Sequence, residues 1–290
     1  MKRIVVSILL AALLVIGVSL TAMSAENEGS AALGLPVANI DVGDLVPMDI
    51  VKKVALKRAK GKWGQVTAGE PIACSDEDGN ISYYMCPFHI GSEPFPDHEQ
   101  IMKGVKEGRS LRKSVQDGSF DMQLLSTPNS GQTTKQNSSP NLAIPYGVKP
   151  APATSQADYR KALRYARNKE TGVGEYGTVY VAATFDRFPI PVVEKALPPY
   201  YYNGDIAQQK AKDVLGGTAK LGRIYFLGAR GTYFEFLSGS NSVTIDASSL
   251  EIKPITKIGR TAPTSDEYQR FKNEWNKASA EPAATGGGTK

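Results

Sequence analysis

PMDIVKKVALKRAKGKW (47–63), followed by PIACSDEDGNISYYMCPF (71–88), decides the fold: a striped basic segment, then two apolar runs flanking Asp76-Glu77-Asp78-Gly79-Asn80. Ile50, Val51, Val54, Ala55, Ala59 and Trp63 recur at helical spacing, while Lys52, Lys53, Lys57, Arg58, Lys60 and Lys62 take much of the remaining surface. Pro47 suits a first helical turn and Gly64 a stop. The runs Glu70–Ser75 and Ile81–Phe88 read as two strands of a hairpin. If Asp78-Gly79 is its two-residue turn, paired numbers sum to 157 and Cys74 faces Tyr83. A helix laid on an antiparallel hairpin is the start of an α+β unit.

The same order returns further along. Asp205–Leu215 reads as a helix with Asp205 as N-cap, and the strands Leu221–Leu227, Thr232–Leu237 and Ser242–Ala247 follow it. Leu250–Pro254 is a weaker strand. Thr178–Thr184 completes the first set. The expectation is two helix-on-antiparallel-sheet units in tandem, 46–184 and 185–256. The first carries a flexible insertion over about 93–172, with a disordered core at 126–157 rich in Ser, Thr, Asn, Gln, Gly and Pro. Within that insertion Glu93–Gly118 looks partly helical, and Asp158–Asn168 reads as a short helix. Residues 257–290 are read as a helix striped by Tyr268, Phe271 and Trp275, then a disordered tail.

The N-terminus supplies a compartment. Lys2 and Arg3 precede an apolar run from Ile4 to Leu20, and Ala22-Met23-Ser24 offers small residues for cleavage after Ser24 or Ala25. Residues 1–24 thus have the layout of a secretory signal peptide, and 25–45 that of a linker. The alternative is an uncleaved anchor, the one route to membrane association. Both place the rest of the chain outside the cytoplasm. The formal charge is +5, of which Lys2 and Arg3 supply two. The remaining +3 does not argue for a nucleic-acid partner.

The helix ending Ala59-Lys60-Gly61-Lys62-Trp63-Gly64, then Pro71-Ile72, Asp78-Gly79 and Ile81–Phe88, resembles streptopain-type propeptide and inhibitor domains. Ile206–Lys253, with its Val243-Thr244-Ile245-Asp246-Ala247 segment, is similar to PepSY-type domains. The resemblance implies a cystatin-like α+β fold. It also implies a stand-alone, non-enzymatic exported module that inhibits or chaperones a secreted protease or another extracytoplasmic protein. The competing reading is a structural or adhesive cell-envelope protein.

Reactive groups are few. In the expected register Cys74 and Cys86 point to opposite sheet faces, which favours two buried thiols, and a bulge is what would allow a disulfide between them. The spacing of Cys74, Cys86, His89 and His98 lacks the close Cys pair of zinc sites, and Cys86 with His89 lacks an orienting third residue. No metal or other cofactor is therefore expected. Gly172-Val173-Gly174-Glu175-Tyr176-Gly177 matches a dinucleotide motif in letters only, since a strand follows it where a helix is required. Asp76–Asn80 lacks the Gly and Glu positions of an EF-hand. Asn80-Ile81-Ser82 and Asn137-Ser138-Ser139 are glycosylation sequons. Leu197-Pro198-Pro199-Tyr200-Tyr201-Tyr202 reads as a stiff extended segment. It is either a packed connector or a binding surface formed by Tyr200, Tyr201 and Tyr202.

Overall fold

The structure, a computed structural model, describes residues 45–125, 155–256 and 262–280. The expected signal segment, nearly all of the linker, most of the 126–157 core and the end of the tail lie outside the described residues. Helix α1 (Met48–Trp63) buries Val51, Val54, Ala55 and Ala59 along its stripe. Gly64 ends it at φ +79°, with its N–H donating to the Lys60 carbonyl. Strands β1 (Val66–Ala68), β2 (Ile72–Ser75) and β3 (Ile81–Ile90) follow. After α2 (His98–Gln116) and α3 (Gln156–Thr171) come β4 (Tyr176–Ala182) and β5 (Val192–Glu194). Helix α4 (Pro199–Leu215) precedes β6 (Lys220–Phe226), β7 (Thr232–Ser238) and β8 (Asn241–Asp246), and α5 (Ser265–Ser279) comes last.

The chain is α+β, and all eight strands form one sheet. Its order is β5-β4-β3-β2-β6-β7-β8, with β1 pairing β3 beyond the end of β2. Every pairing is antiparallel except β2 to β6, which is a parallel bridge at Ser75 and Tyr225. The expected units are therefore two halves of one sheet. The described residues form one compact unit, and the boundary expected at 185 falls inside a half, because β5 pairs with β4.

The hairpin register is the expected one. Ile72 pairs with Met85 and Cys74 with Tyr83. The turn is longer than two residues: Asp76 N–H donates to the Asn80 carbonyl, and a bulge between Cys74 and Ser75 absorbs the shift. That bulge lies on the turn side of Cys74, so the two cysteines keep opposite faces. Leu250–Pro254 reduces to a single bridge between Ile245 and Ile252.

Side-chain alternation separates two layers over the sheet. Cys74, Met85, Tyr180, Phe226, Phe234, Phe236 and Ile245 meet Ala207 and Ala211 of α4. The opposite face takes α1, whose Trp63 packs on Phe88 with ring centroids 6.4 Å apart. A Cβ on Gly177 would lie 2.2 Å from the Trp63 ring, so that position must be bare.

Two expectations are corrected here. First, the helices expected at Glu93–Gly118 and Asp158–Asn168 are present as α2 and α3, but they are not parts of a flexible insertion: they pack together as a helical hairpin around a small core of Val115, Phe120 and Ala162. Asp97 caps α2 in a capping box with Gln100, and Gly172 closes α3 in the left-handed region at φ +65°. Second, Tyr200–Tyr202 is helical, not extended. α4 starts at Pro199, because proline costs a helix nothing in its first turn, where the N–H has no partner to lose. Asp205 consequently lies inside the helix and is not its cap.

Candidate functional site

The described surface has two concave regions that carry side-chain chemistry. The larger, about 380 Å³, runs between α1, α5 and the loop 188–190. Its position follows from two anchors. Trp275, the one fully buried residue of α5, stacks edge-on against Phe185 at 5.1 Å and donates from Nε1 to the Arg187 carbonyl at 3.0 Å. Lys57 of α1 donates from Nζ to the carbonyls of Lys277 and Ala280, each at 2.8 Å, and so neutralises the last carbonyls of α5. Between these anchors Val54, Phe188, Pro189, Ile190 and Ala278 make an apolar floor. Phe188 is 42% exposed. The rim carries Lys57, Arg58, Lys277 and Glu274, the last two paired at 2.8 Å.

The smaller cleft, about 220 Å³, lies between α1 and the β1–β2 connection. Cys86 and Phe88 are in its lining, and Lys52 and Glu70 pair across it at 3.1 Å. Burial pushes the Cys86 thiol up to about 12, against a smaller downward pull from Lys52. Burial raises Cys74 as well. Both are free, buried thiols on opposite faces, as the hairpin register favoured, and the possible disulfide between them is not formed. His89 leaves the strand end to contact the Glu93 carbonyl at 3.3 Å and the Tyr176 ring, while His98 opens α2 beside Tyr201. Cys74, Cys86, His89 and His98 are not brought together.

Tyr201 and Tyr202 are half-buried in the seam between α4 and α2, while half-buried Tyr200 packs against the core of the sheet. Tyr201 meets Phe95 and His98, and its partly buried ring packs on Ile101, Val105 and Leu197. Burial, then the neighbouring Glu194 charge, pushes the Tyr202 phenol up to about 12. Next to this seam is a network that sequence reasoning missed. Arg109 of α2 holds Asp205 of α4 through two 2.7 Å hydrogen bonds, and donates to the Tyr202 carbonyl. Its Nε lies 3.5 Å from buried Glu170 of α3, which Arg112 meets at 3.2 Å. Gly108 brings the two helices together: a Cβ there would stand 2.1 Å from the Glu170 backbone nitrogen. A glycine within the α2 stripe was the only sequence signal of this contact.

The acidic turn is likewise committed to the fold. The Asp76 side chain accepts from the N–H groups of Asp78 and Asn80 and meets Arg187 at 3.3 Å. Glu77 meets Arg230 at 2.9 Å. Arg187 also lies over the Tyr83 ring at 5.2 Å. Among the described residues no group of three or more His, Cys, Asp and Glu side chains is placed to hold a metal ion. None of the described helices is long and apolar enough to cross a membrane. No protein-family model, curated protein or solved structure matches the chain.

Proposed function

We propose that this protein is an exported, non-catalytic binding module that acts by shape and charge complementarity. In this reading it inhibits or chaperones a secreted protease or another extracytoplasmic protein. One observation carries it: the larger of the two concavities described above has an apolar floor and a charged rim, and no Cys, Ser, Thr or His in its lining. The sequence resemblance to protease propeptide and PepSY-type domains supports the same direction. So does the protonation state of the two thiols, since a neutral thiol is a poor nucleophile.

The envelope-adhesion alternative draws on a different feature, the six basic side chains that α1 carries against the single acid Asp49. Binding to an anionic wall polymer would weaken steeply with salt. The deciding experiment titrates the protein, recovered from the extracytoplasmic fraction of expressing cells, against secreted cysteine, serine and metalloproteases. Stoichiometric inhibition, or protection of one protease from denaturation, with the added chain left uncut, is the expected result. Rapid digestion of the described body, with no effect on any protease, would remove the proposal in favour of the adhesive reading.

A further inference from the structure

The groove between α1, α5 and 188–190 has a chemistry that specifies its occupant, and the inference rests on the binding-module reading above. Its floor offers Phe188, Pro189 and Ile190 from the loop and Val54 and Ala278 from the two helices. Such a floor rewards an apolar side chain and gives a purely ionic ligand nothing. Its rim is unevenly committed. Lys57 is occupied by the α5 carbonyls, and Lys277 by Glu274. Arg58 is exposed and pairs with no carboxylate among the described residues. Lys57 precedes it on the rim and Lys62 lies one helical turn further along the same side of α1, so the field over this end of the groove is positive. A guanidinium in such a place selects carboxylates, because its planar donors match their two oxygens.

We propose that the groove takes an extended segment of a partner protein in which an apolar side chain is flanked by carboxylates. The apolar side chain sits against Phe188 and Ile190. One neighbouring carboxylate meets Arg58, and the rest of the charge is held by the basic surface of α1. Glu274 does not oppose this, since Lys277 neutralises it. A second copy of the chain, and an anionic polymer without apolar groups, are the competing occupants.

The test measures binding of three labelled short peptides by fluorescence anisotropy. One has central leucines flanked by aspartates, one replaces the aspartates by lysines, and one replaces the leucines by serines. The first binds at least about tenfold more tightly than the other two. Raising salt from about 50 to about 500 mM weakens it severalfold. Arg58→Glu and Phe188→Ser, both at exposed positions, each lose about tenfold or more while the thermal midpoint stays in place. Equal affinity for the three peptides overturns the proposal, as does undiminished binding by both variants. Binding of the aspartate–serine peptide as tight as that of the aspartate–leucine peptide assigns the surface to anionic polymer instead. Concentration-dependent dimerisation in sedimentation, abolished by Phe188→Ser, assigns it to a second copy. The underlying reading fails separately. Variants that lose the peptide yet still inhibit a protease overturn the groove assignment alone. Selective peptide binding with no effect on any protease supports the groove and removes the protease-directed role.

Discussion

The two halves of the sheet are built alike and covered differently. In each, a helix is followed by a set of antiparallel strands, and the halves meet where β2 and β6 run parallel. α1 lies on one face and α4 on the other, which is the arrangement a rotation about an axis along that seam would give. The covering breaks the symmetry. The buried cluster under α4 is continuous across the seam: Met85 and Tyr180 of the first half and Phe234 and Ile245 of the second belong to it together with Ala207 and Ala211 of α4. The β2–β5 half is therefore covered on both faces. Among the described residues the β6–β8 half is covered on one, and its other face shows Arg223 and Leu237. The lesson is that a repeated order of elements need not produce separable bodies: one buried core shared across the seam couples them.

The strongest way to break that comparison is to cut a large side chain from the core of each half. Phe88→Ala in the first half and Phe234→Ala in the second are each expected to cost about 3–5 kcal/mol, because both rings are fully buried. Both tryptophans, Trp63 and Trp275, pack in the first half, so fluorescence reports that half while circular dichroism reports the whole. In urea, Phe234→Ala should move the two signals by the same amount. A fluorescence transition left in place would show that the halves unfold independently.

Next in size is the link from the helical hairpin to α4. Arg109→Ala leaves buried Glu170 with Arg112 alone and Asp205 with no guanidinium, at an expected cost of about 3 kcal/mol. The same pair gives a pH dependence. Burial acts to raise the Asp205 carboxyl, but the Arg109 hydrogen bonds and charge bring it below its ordinary value. A carboxylate depressed in the folded state stabilises above its unfolded value of about 3.9 and loses that contribution as pH falls further. Unfolding curves of native protein should therefore lose midpoint below about pH 4, and Asp205→Asn should flatten that part of the profile.

How much of this was visible in the sequence varies by feature. The hairpin register was, up to Cys74, although the two-residue Asp78-Gly79 turn that predicts it is replaced by a longer turn and a compensating bulge. The buried stripe of α1 was, since 3.6-residue spacing survives its basic surroundings. The start of α4 was not. Four prolines between Phe188 and Tyr202 suggest an extended chain, and only the placement of Pro199 at the first turn reconciles them with a helix. The tie between Arg109, Glu170 and Asp205 was out of reach, since it joins residues far apart in sequence that share no pattern. The groove was hidden for the same reason. Trp275 announced that α5 packs somewhere, but nothing local says that it packs beside 188–190.

A smaller probe compares the backbones of the two faces. Gly177→Ala drives a methyl into the Trp63 ring, which has α1 behind it, and is expected to cost about 1–3 kcal/mol in urea unfolding. Cys86→Ala removes one buried sulfur and should cost about 1 kcal/mol. In the native protein neither thiol should react with a thiol reagent at neutral pH. Both should react at once in denaturant, as burial and not a disulfide is what protects them.

The smallest effects belong to the uncovered face of β6–β8. Leu237 is 42% exposed there and lies against Gly222, where a Cβ would stand 2.7 Å from its Cδ1. The clash resembles that at Gly177, but the neighbour differs: the obstacle is the far end of a flexible side chain with water on its other side. Leu237 can swing away where Trp63 cannot. Gly222→Ala and Leu237→Ala are thus each expected to stay within about 0.5 kcal/mol of native stability. A loss of 2 kcal/mol or so at either position, as large as that expected at Gly177, would mean that something covers this face in solution. Sedimentation of the native chain would then tell whether a second copy does so.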